Sequence, residues 1–329
     1  MNNFRTSLPK PAFSFDIRHQ QAILAMGSCF ATNIGQRLKD LKFDIQLNPL
    51  GILYNPISIA ESIAYIIDQK TFETSDLFQH QGLWHSFAHH GSFSQPDPAS
   101  ALHHIHEHIT KAHTMLPRLK TLLLTFGTAY VFQLRDQQKV VANCHKRPSS
   151  DFTRDLLTVE QIVSSLQNSL ERLKKHCPGL RIVLTVSPIR HIRDGLVMNQ
   201  RSKASLVLAA HQLCEQLEDV HYFPSYELMV DDLRDYRFYA ADMIHPSPVA
   251  TDHIWQYFKQ TFFESSTQEL IRQIDKIQSA YRHRPLHPTT ANHQRFVRHT
   301  LQQIDNLEQE HPFLNLEEER AAMKRQLTD

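Results

Sequence analysis

Three residues in this sequence have the types and spacing needed for nucleophilic acyl transfer: Ser28, Asp242 and His245. Ser28 follows Gly27, where the short apolar run QQAILAM (20–26) gives way to a helical pattern with Phe30, Ile34 and Leu38 on one face. A serine at such a strand-to-helix junction is exposed at the top of a sheet. The free N–H groups of the helix start there favour the negative charge of a tetrahedral intermediate. The same position also suits a helix N-cap, a purely structural task. Asp242 and His245 stand three residues apart just before Pro246-Ser247-Pro248, in which Ser247 and Pro248 read as N-cap and first residue of the next helix. On that turn a carboxylate can hold an imidazole whose ring faces outward, so one short segment supplies a base and its orienting group. D-x-x-H alone is common by chance; its place after the last strand, with Gly-Ser after the first, gives it weight.

Rival chemistries are also present. Cys29 adjoins Ser28 and is intrinsically the better nucleophile, although a side chain starting the helix is expected to turn into the core. His104-Ile105-His106-Glu107-His108 matches the inverted zinc-protease pattern H-x-x-E-H and places His104 and His108 on one helix face. It has no identifiable third ligand and reads as a solvated helix, so no metal is expected. His85, His89 and His90 lie in a stretch (82–98) that reads as a long irregular loop and could line a cleft or simply face solvent. G-x-S-x-G, G-x-G-x-x-G, the phosphate loop and H-E-x-x-H do not occur.

Composition sets the frame. With 35 Lys and Arg against 34 Asp and Glu, the net charge of +1 speaks against a nucleic-acid binder. Four scattered cysteines without a C-x-x-C pair argue against a disulfide framework or a structural zinc. There is no secretory apolar core near the N-terminus and no apolar run of membrane-spanning length, so a cytoplasmic protein is expected. The 22 histidines are the one excess, and they are what raises the question of a metal.

The positioning elements alternate. Strands are expected near 20–26, 43–47, 121–126, 181–186 and 220–223, and helices over 29–41, 58–68, 99–114, 158–175, 200–218 and 249–263. A hairpin is expected from Tyr130 to Cys144, turning at 136–138. Buried-looking strands alternating with helices predict a parallel sheet covered on both faces. Such sheets hold ligands beyond the carboxyl ends of their strands, where Ser28, Gly51, Gly127 and Ser187 fall. Beyond residue 265 the pattern becomes helical, giving a main domain over 1–265 and a C-terminal helical extension over 266–329. A homodimer through those helices is one expectation.

Gly27-Ser28-Cys29-Phe30-Ala31 spells the name-giving pentapeptide of the GSCFA family, within the SGNH/GDSL-like hydrolases, and the chain resembles that family in further segments. These are NPLGILYNP (48–56), FGTAYVF (126–132), NCHKRP (143–148), TVSPIRH (185–191), YFPSYELM (222–229) and DLRDYRFYAADMIHPS (232–247). The resemblance implies a three-layer α/β/α fold with a central, mostly parallel, doubly wound sheet. It also implies a Ser28–His245–Asp242 triad acting on an O-acyl ester of a small molecule or a carbohydrate, without a cofactor. Of the superfamily's oxyanion donors, it assigns the serine N–H to Ser28 and the glycine N–H to Gly51. The asparagine is missing from its usual block, which here reads Gly127-Thr128-Ala129; Asn143 is the substitute, with Asn55 behind it. Thr128, His145, His191 and Tyr226 are candidate substrate contacts, and Lys203 falls in the same group of strand-end positions. Hydrolysis and acyl transfer remain equally open. The alternative is a non-catalytic ligand-binding protein that keeps the fold.

Overall fold

The computed structural model describes residues 6–327. In chain order, β1 (Ala22–Gly27) leads into α1 (Cys29–Asp40), β2 (Ile45–Leu47) and α2 (Pro56–Ile67). A hairpin of β3 (Leu77–His80) and β4 (Leu83–Ser86) precedes α3 (Pro98–Met115) and β5 (Leu119–Phe126). Next come β6 (Tyr130–Leu134), β7 (Val140–Val141), β8 (Phe152–Leu156), α4 (Val159–His176), β9 (Arg181–Val186), α5 (Leu196–Gln216) and β10 (Val220–Tyr222). The short α6 (Ser225–Glu227) runs into a π-helical turn, Leu228–Leu233, and α7 (Pro248–Phe262) ends the alternating part. Three further helices follow: α8 (Ser265–Arg282), α9 (Ala291–Glu310) and α10 (Glu317–Lys324).

The central sheet runs β10-β9-β5-β1-β2 and every pair in it is parallel. Counting only its own strands this is the order 2-1-3-4-5, a doubly wound sheet whose winding reverses between β1 and β5. Side chains alternate between two cores. Leu24, Leu124 and Leu184 point into the layer of α2 to α5. Ile23, Leu123 and Val183 point into the layer that contains α1 and α7. The expected three-layer α/β/α fold is what the chain adopts.

The long loop expected over 82–98 is half a hairpin. Gln81 and Gly82, both at positive φ (+49° and +78°), form the two-residue turn that joins β3 to β4. The expected hairpin at 130–144 forms, but β6 also pairs with β8, giving a separate three-stranded antiparallel sheet over the carboxyl ends of the central strands.

The extension beyond 265 shares a core with the sheet. Ile274, Val297, Ile304, Leu307 and Met323 belong to one buried cluster with Ile23, Phe30 and Leu38. Lys42 and Gln278 both reach the buried Glu319 Oε1, each at 2.6 Å. Among the described residues no helix is long and apolar enough to cross a membrane.

Candidate active site

At the end of β1 the chain passes so close to β5 that a Cβ on Gly27 would lie 2.1 Å from Thr125 O. Glycine is the residue that permits this approach at φ +133°. Ser28 is thereby set as N-cap of α1, its Oγ accepting from Phe30 N–H at 3.3 Å, and it is buried rather than exposed as expected, because the cap bond turns it toward the helix. Its own N–H donates to Thr125 O at 3.1 Å.

The second half of the site is a closed turn. Met243 adopts φ +57°, Ala240 N–H donates to His245 O at 2.8 Å, and Ser247 and Pro248 start α7 as N-cap and first residue. Inside that turn His245 Nδ1 lies 2.6 Å from Asp242 Oδ2. Asp242 Oδ1 accepts the N–H groups of Ile244 and His245 at 2.9 and 3.0 Å. These bonds, with the imidazole, hold the Asp242 carboxyl down at about 2. With Nδ1–H donated to a carboxylate, Nε2 is the nitrogen left to accept a proton.

Both halves line one cavity of about 520 Å³ at the carboxyl ends of the strands, whose wall includes Ser28, Cys29 and His245. It lies where the winding reverses, the position such sheets reserve for ligands. Asn55, Thr128, Asn143 and His191 line it as well, together with Tyr54, Tyr130, Phe132, Arg154, Arg190 and Arg193. Ser28 Oγ makes no hydrogen bond to His245 among the described residues; it is held by its cap bond.

The remaining expected residues fare differently. Asn55 is buried and caps α2, with Oδ1 accepting from Ser58 N–H at 2.8 Å and Nδ2 donating to Ser58 Oγ at 3.0 Å. Thr128 Oγ1 accepts from Tyr130 N–H and meets Ser202 Oγ, both at 3.1 Å. Asn143 Oδ1 accepts from His145 N–H at 2.8 Å, which leaves its NH2 group without a protein acceptor among the described residues. Gly51 is not brought to the cavity. Its N–H closes a turn on Asn48 O at 2.8 Å, and its α-carbon packs on His90 so tightly that a Cβ would sit 2.3 Å from the Cβ of that histidine. His145 is buried outside the cavity against Phe78 and His85, with Nε2 bonded to Ser86 O at 2.8 Å. Tyr226 lines a neighbouring groove and bonds Gln200.

Cys29 packs partly against the core, as expected, but is not confined to it. It lines the cavity beside Ser28, with Sγ 3.4 Å from Tyr54 Oη. His85 and His89 serve the hairpin region, bonding Ser94 and Ser86, and His90 caps the turn at 91–93. His104 and His108 stack at 4.6 Å beside Phe93. Among the described residues no three His, Cys, Asp or Glu side chains are grouped as a metal site.

One expected strand-end residue takes a structural role, and one feature was not foreseen. Lys203 is fully buried, and its Nζ donates to Gly127 O and Ser187 O at 2.7 Å each, joining the ends of β5 and β9. Burial lowers its ammonium to about 7. The arginines of the cavity wall come from β8, which was not foreseen as a strand, and from the loop after β9.

Among solved structures, the chain is similar to a carbohydrate esterase family 3 protein from Talaromyces cellulolyticus, at 8% identity and a TM-score of 0.36, covering 78% of this chain and 99% of that one. It is also similar to an acetyl xylan esterase, Est2A, from the rumen bacterium Butyrivibrio proteoclasticus, at 13% identity and a TM-score of 0.37, covering 76% of this chain and 65% of that one. No curated protein matches the sequence. Residues 22–258 match the GSCFA family, and residues 274–329 match the GSCFA domain protein, C-terminal domain. The strand-end serine, the D-x-x-H turn and the shared cavity all lie inside the first of these matches, and the chain belongs to the GSCFA family.

Proposed function

We propose that the protein is a serine esterase or acyltransferase that works through an acyl-enzyme on Ser28. The observation that carries this reading is the meeting of Ser28 and His245 on one cavity, with Asp242 bonded to the far nitrogen of the imidazole. In the reaction Ser28 Oγ leaves its cap bond and attacks the ester carbonyl while His245 Nε2 takes its proton. The tetrahedral intermediate then collapses, the alcohol departs with that proton, and the acyl group stays on Ser28. Water or a second alcohol, deprotonated by the same imidazole, releases it. The acyl donor is an O-acyl ester of a small molecule or a carbohydrate.

Of the three expected oxyanion donors, Ser28, Gly51 and Asn143, only Asn143 keeps N–H groups without a protein acceptor among the described residues. The N–H groups of Ser28 and Gly51 are both engaged with carbonyls. The groups that remain at the cavity are the N–H of Cys29, first residue of α1, and the amide NH2 of Asn143. A helix start adds its dipole to the first of these.

A second reading, a binding protein that keeps the fold, is favoured by the bond from Phe30 N–H to Ser28 Oγ, which occupies the nucleophile at rest. Intact mass after treatment with a fluorophosphonate probe separates the two readings. A single adduct in wild type and Cys29→Ala, absent from Ser28→Ala, supports the acyl-enzyme. A folded wild type that takes no adduct supports the binding protein.

A further inference from the structure

We propose that the ester received by this cavity carries an anionic group, a carboxylate or a phosphate, bound by Arg193 with Arg154 behind it; this rests on reading the cavity as the substrate site. Arg154, Arg190 and Arg193 line the cavity and no Asp or Glu does. The chain as a whole is nearly neutral, with 35 basic and 34 acidic side chains, so this imbalance is local. Two carboxylates stand near the cavity and both are committed: Asp194 to Arg154 and Asp242 to His245. Arg190 is committed as well, its Nη1 donating to Met243 O at 2.9 Å. Arg193 has no acidic partner among the described residues.

The wall behind these groups is built to hold a planar cation. The Arg154 guanidinium lies 4.1 Å from the Tyr130 ring centroid and 5.3 Å from that of Phe132, and the Arg193 guanidinium lies 5.5 Å from Phe132. Phe132 thus touches both arginines and ties them to one stretch of wall. Stacking fixes a guanidinium while leaving its edge N–H groups free for an acceptor.

A second observation points to a missing partner. Tyr130 Oη, Arg154 Nε and His191 Nε2 are buried and have no hydrogen-bond partner, and all three side chains line this one cavity. Buried polar atoms without partners are rare in native folds, and three in one cavity wall show hydrogen-bonding capacity there that the protein itself does not fill. Two of the three carry an N–H or O–H that an anion can accept from.

The test has a catalytic arm and a binding arm. The first compares kcat/KM for 4-nitrophenyl butyrate with mono-4-nitrophenyl glutarate, and for phenyl acetate with 4-acetoxybenzoate, so that the charge lies first on the acyl side and then on the alcohol side. The wild type should prefer the charged member of at least one pair by roughly tenfold to a hundredfold. Arg193→Gln should abolish that preference and Arg193→Glu should invert it, read in each variant as the ratio of charged to neutral kcat/KM. The binding arm titrates Ser28→Ala with glutarate and with inorganic phosphate by calorimetry, which needs no turnover. Binding by either anion that weakens in Arg193→Gln and in high salt supports the proposal even if no ester is cleaved, and the ratio of the two distinguishes carboxylate from phosphate. Equal rates on charged and neutral esters, or no binding of either anion by folded Ser28→Ala, overturn it, the first while leaving the esterase reading intact.

Discussion

Arg190 Nη1 donates to Met243 O at 2.9 Å, and Arg190 N–H donates to Ile244 O at 3.1 Å, so the loop after β9 is tied to the turn that carries Asp242 and His245. On the proposed mechanism, these bonds make Arg190 a positioning residue for His245. In Arg190→Met the turn loses one of those ties, and kcat should fall by about tenfold to a hundredfold while KM changes little. Arg190→Lys, which can reach the same carbonyl, should recover part of the loss. A KM effect as large as the kcat effect would instead make Arg190 a substrate contact.

Asp242→Asn should leave the turn intact, because its side-chain oxygen can still accept from the N–H groups of Ile244 and His245. What it loses is the charge that fixes the Nδ1–H tautomer, and kcat should drop by about ten-thousandfold. The Asp242 carboxyl sits at about 2, so it stays ionised as the pH falls well below neutrality. Any acid limb in the wild-type rate near neutral pH therefore belongs to another group. A wild-type profile that retains its shape in Asp242→Asn at comparable rate would contradict this assignment.

Four histidines whose imidazoles desolvation keeps neutral should make the fold acid-sensitive. Burial lowers His19, His145 and His191 from 6.5 to about 4 and His89 to about 3. As pH falls through 6.5 the unfolded chain takes up these protons and the folded chain does not, so their contribution is complete above 6.5 and is lost toward 4. All four act in the same direction over the same window, so together they govern the acid limb of stability. Urea midpoints across that window should fall steeply in wild type and less steeply in His89→Phe. A flat dependence would mean that these rings are solvated.

Lys203 should act in the opposite range. Its ammonium is lowered from 10.5 to about 7 by burial, so between those values the unfolded chain holds a proton that the folded chain lacks. Stability should accordingly rise with pH across that interval, the gain being complete above 10.5 and lost as pH falls to 7. Lys203→Met removes this dependence but leaves the carbonyls of Gly127 and Ser187 without their donor. The difference in urea midpoint between wild type and Lys203→Met should therefore widen as pH rises from 7. A difference that stays constant would show that Lys203 remains charged in the fold throughout.

The sequence exposed those parts of the fold that have a period. The apolar runs of β5 and β9 and the helical face of Ile162, Leu166, Leu170 and Leu173 are all buried as their spacing requires. The catalytic candidates were legible for a related reason, since Gly27-Ser28 and Ser247-Pro248 mark the ends of elements. Parts of the site without a period were not legible. β8 is five residues long, mostly polar, and pairs far from its neighbours in sequence, so Arg154 did not register as a cavity residue. Gly51 shows how composition can mislead. A glycine stands in the expected place, but the direction of its N–H is set by the turn to Asn48, which no spacing reveals. Cys29 was read only in part, since it packs against the core but also reaches the cavity.

The core shared by α1 and the C-terminal helices has a consequence for how the chain is made. Phe30 and Leu38 leave the ribosome well before Ile274, Ile304 and Met323, with which they share a core. Lys42 and Glu319, which lie 2.6 Å apart, are separated by most of the polypeptide. This core therefore cannot close in full until the chain as far as Met323 has been released. A chain stalled at residue 264 should remain sensitive to protease, and it would be a natural client for chaperones that shelter apolar surface.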